Sequence, residues 1–121
     1  MITIYGIPNC DTVKKARAWL VGAELEHTFY DLKKHGVPAD RLPAWSKAVG
    51  WGKLVNRQGT TWRKLDAAAQ AKASDAAGAE ALVLANPSSV KRPVVEWGGP
   101  SALVTVGFDP KIWADIAAKT T

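Results

Sequence analysis

The chain opens on a short β-rich run, Ile2-Thr3-Ile4-Tyr5, which the turn cluster Gly6-Ile7-Pro8-Asn9 brings to a stop. From Asp11 to about Gly22 the period becomes helical. Val13, Ala16 and Leu20 fall on one face, while Lys14, Lys15 and Arg17 cover the others. Gly22 suits the helix C-terminus. His27-Thr28-Phe29-Tyr30 alternates again and predicts a second strand, ended by Asp31 and a turn over Lys33–Gly36. Strand, helix and strand with short connections make a βαβ unit, which implies a parallel strand pair with a right-handed crossover.

Pro38 and Asp40 open a helix expected to run to about Val49, with Leu42, Trp45 and Val49 as its apolar face and Gly50 as its stop. Trp51 to Val55 is a short apolar patch the length of one helical turn, followed by the loop Asn56-Arg57-Gln58-Gly59-Thr60. Leu65–Ala85 reads as two Ala-rich helices. Ser74 or Asp75 caps the second, whose face carries Ala79, Leu82 and Val83, and Asn86-Pro87 ends it. Val94–Trp97 and Ala102–Val106 flank Gly98-Gly99-Pro100-Ser101, a hairpin signal. Asp109-Pro110 starts a last helix with Ile112, Trp113 and Ile116 facing inward. The order is β-α-β, a helical middle, then β-β-α.

Composition narrows the class. One hundred and twenty-one residues are the length of one domain, and 47% hydrophobic with 22% charged residues excludes wholesale disorder. A net charge of +5 favours an anionic partner without naming the anion. No window approaches the ~20 apolar residues of a membrane helix. Met1-Ile2-Thr3-Ile4 lacks the features of a signal peptide, so the expected compartment is the cytoplasm, with no membrane association. The basic residues are spread along the chain and form no DNA-binding signature, so direct nucleic-acid binding is not expected. His27 and His35 have no second cysteine or acidic cluster placed beside them, and no metal site is expected.

The single cysteine, Cys10, cannot form an intrachain disulfide. It stands where a strand-end loop becomes a helix, a place where unpaired N–H groups and the helix dipole stabilise a thiolate. Lys14 and Lys15 add positive charge; Asp11 opposes it unless it is occupied as a helix cap. A small buried hydrophobe is the competing reading, but Pro8, Asn9 and Asp11 are not the neighbours of a core residue. Val13 stands where a Cys-x-x-Cys motif would have its second cysteine, so any thiol chemistry must be resolved by another molecule.

Two arginines stand in unusual places. Arg57 lies in a Gly- and Thr-containing loop, where a guanidinium can make bidentate contacts to an oxyanion; a solvated surface arginine fits the same position. Arg63 and Lys64 read as an exposed helix face. Lys91-Arg92 directly precedes Pro93, which opens a strand. The six tryptophans, Trp19, Trp45, Trp51, Trp62, Trp97 and Trp113, have unrelated spacings and read as core and half-buried packing residues.

Ile4–Ala16, with its Gly6-Ile7-Pro8-Asn9-Cys10-Asp11-Thr12, then Arg57–Leu65 and Lys91-Arg92-Pro93-Val94 together resemble the ArsC-like family of arsenate reductases and Spx proteins, nearest its YffB branch. The resemblance spans essentially the whole chain. It implies an α/β, thioredoxin-like fold (βαβ…ββα, mixed sheet), a single domain over residues 1–121 with a helical insertion at about 38–86. It further implies that Cys10 is the nucleophile and that Pro93 follows a cis peptide bond. Of the three arginines used by the family's arsenate reductases, the first matches Arg57 and the second Arg92. The third would fall at Val106-Gly107-Phe108-Asp109, where there is none, and the histidine those enzymes carry after the first strand is replaced here by Gly6.

The function expected from these residues is a monothiol, glutathione-dependent reductase, in which external glutathione resolves a mixed disulfide on Cys10. Arg57, Arg92, Pro93, Asn9, Thr12 and Lys14 are the candidate substrate- or glutathione-binding residues. No cofactor is expected to be bound; glutathione is the co-substrate, with glutaredoxin as a further partner and the protein a monomer. Two alternatives are a genuine arsenate reductase and a Spx-like regulator that binds RNA polymerase without thiol chemistry.

Overall fold

The N-terminal alternation folds as strand β1, Ile2–Gly6, and the helical period that follows as α1, Asp11–Gly22. These belong to a computed structural model that describes residues 2–98 and 103–120. The chain divides into two compact units, Met1–Tyr30 with Arg92–Thr121, and Asp31–Lys91.

In the first unit, β1 and α1 are joined by β2 (His27–Asp31), β3 (Val94–Glu96), β4 (Val104–Val106) and helix α2 (Pro110–Thr120). The four strands form one mixed sheet in the order β2-β1-β3-β4. β1 pairs antiparallel with β3, Ile4 opposite Val95, and β3 pairs antiparallel with β4, Val95 opposite Thr105. The parallel pair of the mixed sheet is therefore β2 beside β1, as the βαβ pattern predicts. β3 and β4 pair as the hairpin signal predicts, while Gly99, Pro100 and Ser101 of its expected turn and Ala102 of the expected strand lie outside the described residues.

Period two sends Ile2 and Ile4 of β1, with Val95 and Trp97, to one side of the sheet, where Ala16, Leu20, Trp113 and Ile116 meet them. Tyr5 faces the other way, and its hydroxyl donates to Glu96 Oε1 at 2.7 Å. Trp113 is the hub of the core: the rings of Trp19, Trp97 and Phe108 each meet it edge-on, at 5.6, 5.0 and 4.8 Å between centroids. Trp113→Ala should lower the unfolding free energy by about 3–5 kcal/mol, read as a shift in the denaturant midpoint. A loss below about 1 kcal/mol, within the range of ordinary surface substitutions, would show that this cluster does not carry the unit.

One expectation for the first unit needs correcting. Ile112 was expected on the inner face of the last helix, but it is 52% exposed; the core needs only Trp113 and Ile116, three residues apart and one turn deep. Gly22 is the last residue of α1, as expected, and Glu24 takes the positive φ of 58° two residues on.

The second unit is helical, and each of its elements is described within that unit alone. Where the sequence suggests a turn over Lys33–Gly36, a one-turn helix, α3, runs Leu32–His35. Asp31 caps it, its carboxylate accepting from the Lys33 and Lys34 N–H groups at 2.9 and 3.1 Å, and Leu32 is buried. Helical structure thus begins at Leu32, ahead of Pro38. The next helix, α4, spans Leu42–Val49 rather than starting at Pro38. Pro43 sits in its first turn, the one part of a helix that needs no N–H from it. α5 is the single turn Trp51–Leu54 and α6 the single turn Thr60–Arg63.

Two Ala-rich helices follow, α7 (Ala67–Lys72) and α8 (Ala76–Ala85), capped by the carboxylates of Asp66 and Asp75. Of the two candidate caps for the second, Asp75 is the one used. A Cβ on Gly78 would collide with the Lys72 carbonyl, so glycine permits the close corner between these helices. Leu42, Trp45, Leu54, Ala79 and Val83 are buried; Val49 and Leu82 are only partly so.

Candidate active site

The turn residues of the β1–α1 loop fix Cys10 at the start of α1. Its N–H donates to the Ile7 carbonyl at 3.1 Å, and its own carbonyl accepts the Lys14 N–H at 2.9 Å, the first bond of the helix. Cys10 is thus the N-cap residue, in extended backbone conformation, and its side chain makes no capping bond. Asp11, read from the sequence as a possible cap, is instead the first residue of the helix. The half-buried sulfur faces helix-terminal N–H groups that have no carbonyl partner within the helix.

Those donors decide the state of the thiol. Partial burial pushes its pKa up. Against this, the Val13 amide beside the sulfur, the Arg92 guanidinium through a hydrogen bond and its charge, and the Thr12 amide all favour the thiolate. Together they win, and the thiol is held below its ordinary value. The expected positive charge is present, but its source differs. Lys14 and Lys15 are exposed and play no part in the shift; the charge comes from Arg92, eighty-two positions later in the chain.

Sheet register explains how a distant arginine gets there. Tyr5 of β1 stands opposite Val94 of β3, so the two residues before Val94 come alongside the loop that leaves β1. The Arg92–Pro93 peptide is cis, as the resemblance implied. Pro93 is buried, and its carbonyl accepts the Gly107 N–H at 3.0 Å. The place expected for a third arginine is therefore tied directly to Pro93. It holds Gly107, with φ of 78°, and Phe108, whose ring packs on Trp113.

Among the sequence candidates, the structure brings together Cys10, Arg92 and the backbone of Thr12, with Pro93 adjoining. The side chains of Asn9, Thr12 and Lys14 are exposed around the start of α1. Arg57 lies in the second unit, at an exposed loop position beside the rings of Trp51 and Trp62. The donor that sequence reasoning missed is the Val13 N–H. Val13 was read only for its side chain, yet any residue three places after a cysteine at a helix start offers this amide. Gly6 has a packing reason too: a Cβ there would lie 2.7 Å from a methyl of the buried Val13. Among the described residues, no three His, Cys, Asp or Glu side chains gather as a metal ligand set. No helix of the described residues is long and apolar enough to cross a membrane.

A cysteine at the head of the first helix, with a cis-proline entering the adjacent strand of a mixed four-stranded sheet, defines a thioredoxin-like protein. Comparison with known proteins is more specific: the ArsC family model matches residues 5–116, and the chain belongs to the ArsC family. It is 41% identical over 112 residues to an uncharacterized protein of Haemophilus influenzae, covering 92% of this chain and 94% of that one. The solved structure of a YffB protein superposes with a TM-score of 0.87 at 44% identity, covering 95% of this chain and 97% of the other. An arsenate reductase related protein from Brucella melitensis gives a TM-score of 0.70 at 46% identity, covering 94% and 92%. The global transcriptional regulator Spx of Streptococcus pyogenes is 26% identical over 97 residues, covering 78% of this chain and 71% of its own length.

Proposed function

We propose that the protein is a monothiol, glutathione-dependent reductase with Cys10 as its nucleophile. The observation that carries this reading is the set of donors on one sulfur: two helix-start amides and the Arg92 guanidinium. A thiolate held in that way attacks disulfide sulfur. In the first step the Cys10 thiolate displaces a thiol from a mixed disulfide of substrate and glutathione. A Cys10–glutathione disulfide forms, and the substrate leaves as a thiolate that takes a proton from water. In the second step a glutathione thiolate attacks this disulfide at the glutathione sulfur. Cys10 leaves as thiolate, and oxidised glutathione is the product. One disulfide is reduced and one is formed.

Arg92 and Arg57 hold the carboxylates of glutathione or the anionic end of the substrate. Asn9, Thr12 and Lys14 supply further polar contacts, and Pro93 the flat backbone against which a thiol-bearing chain lies. Residues of about 38–86 serve as the helical insertion of a single thioredoxin-like domain, and the cytoplasm supplies the reduced glutathione. The test is intact-mass analysis after incubation with oxidised glutathione. One glutathionyl group on Cys10, removed by reduced glutathione, supports the reading; an unmodified cysteine at saturating reagent sinks it.

Arsenate is a poor candidate substrate. Losing one donor of a preorganised anion site commonly costs about 10²–10³-fold in rate. Here Gly107 and Phe108 stand in place of the third arginine, and the packing of Val13 leaves no room for a side chain at position 6. Arsenate reduction with glutathione and glutaredoxin should be weak or absent. Complementation of an arsenate-sensitive strain measures this directly. Full rescue that depends on Cys10 would reverse the conclusion and require Lys91 or Lys111, both exposed, to supply the missing charge.

A further inference from the structure

Trp51 and Trp62 are half-buried, unlike Trp45, Trp97 and Trp113, so core burial does not account for them. They bracket the loop that carries Arg57. Trp51 begins α5 and Trp62 lies within α6, and the Arg57 guanidinium carbon is 5.9 Å from one ring centroid and 5.5 Å from the other. Both distances are within the range at which an aromatic face attracts a guanidinium.

The loop between them is itself fixed. The Asn56 N–H donates to the Ser89 carbonyl at 2.7 Å, Val55 bridges to Val90, and the Lys91 N–H donates to the Leu54 carbonyl at 2.8 Å. Asn56 Oδ1 accepts from the Gln58 N–H at 3.2 Å, and a Cβ on Gly59 would lie 2.8 Å from the Asn56 amide nitrogen. The backbone on either side of Arg57 is therefore held closely. Among the described residues, no carboxylate pairs with Arg57, and the residue is exposed. Its guanidinium carbon lies over two aromatic rings at cation–π distance while the exposed side chain leaves its N–H donors open to an anion.

We infer that Trp51 and Trp62 are positioning residues that hold Arg57 as a preorganised carboxylate-binding group, and that its ligand is a carboxylate of glutathione. The inference rests on the glutathione reading for its ligand, but the indole support of Arg57 is a property of the loop itself. Fixing the long arginine side chain in advance removes the rotamer entropy that binding would otherwise cost. Each ring should contribute about two- to fivefold in affinity, the scale of an exposed cation–π contact. Phenylalanine, which keeps a π face, should retain more of this than leucine.

The experiment follows the Arg57 Nε–Hε resonance in the Cys10→Ser chain, which removes thiol exchange, while reduced glutathione is titrated in one arm and inorganic sulfate in another. Trp51→Leu, Trp62→Leu and the two phenylalanine variants are carried alongside, with circular dichroism to confirm folding. In the parent chain the resonance should show a ring-current shift and move with glutathione. Each leucine variant should lose part of the ring-current shift and weaken glutathione binding by about two- to fivefold, each phenylalanine variant less. Adding either leucine change to Arg57→Ala should weaken binding no further. If leucine variants misfold, the parent ring-current shift and the phenylalanine variants still decide the question. Equal glutathione affinity in parent and folded leucine variants, or an Arg57 resonance with no ring-current shift, would overturn the inference while leaving the reductase reading in place. A response to sulfate but not to glutathione, with the leucine variants weakened, would keep the positioning role and remove glutathione as the ligand. No response to either anion would overturn the anion-binding role.

Discussion

Cys10→Ser should abolish glutathionylation of the protein and lower any thiol-reductase turnover by at least about 10³-fold, since loss of a nucleophile removes the covalent step altogether. The fold should survive. The side chain makes no capping bond, so serine loses no hydrogen bond that holds α1, and a hydroxyl at an N-cap is favoured in its own right. Turnover with a glutathione-linked disulfide substrate, measured beside a thermal unfolding curve, separates the two effects. Retained turnover in a folded Cys10→Ser protein would move the chemistry away from this site.

Arg92→Ala should have the next largest effect, and it should appear in two readouts. The guanidinium both hydrogen-bonds and attracts the Cys10 thiolate, so its removal should raise the thiol pKa and slow turnover by about 10²-fold at neutral pH. Arg92→Lys keeps the charge but not the planar fork and should fall between. Stability should respond in the same sense. The folded thiol has a lowered pKa, so the thiolate contributes stability in full above the unfolded thiol's value of about 8.5. That contribution fades as pH falls through the folded value, and the variant should show less of this alkaline gain. An unchanged thiol pKa in Arg92→Ala would mean that the helix-start amides alone hold the thiolate.

The strands and α1 were legible because their periods are strong and local: Ile2 and Ile4 alternate, and Val13, Ala16 and Leu20 repeat at helical spacing, all of them buried. Difficulties arose where a cap or a proline sets the boundary. Asp31 caps a helix that the Lys33–Gly36 pattern presents as a turn, and Pro43 moves the start of α4 to Leu42. Ile112 looked like core because three apolar residues stand within five positions, but only two of them meet the sheet side.

Of the site, Cys10 at a helix start could be read from the turn cluster before it and the helical period after it. Arg92 could not be assigned to the sulfur from local pattern, because the pairing of β1 with β3 brings it there; only the family resemblance pointed that way. The sequence favoured Lys14 and Lys15 because they are near in the chain. Lysines four and five residues into a helix point outward to water, whereas an arginine entering the neighbouring strand meets the head of that helix.

The central claim is that Cys10 is a stabilised thiolate, and its pH-dependent alkylation tests this most directly. The rate of reaction with iodoacetamide, followed by intact mass from about pH 5 to about pH 10, should rise with a single midpoint clearly below the free-thiol value of about 8.5. A midpoint at or above that value would contradict the account, because the donors gathered on the sulfur would then have failed to outweigh its burial.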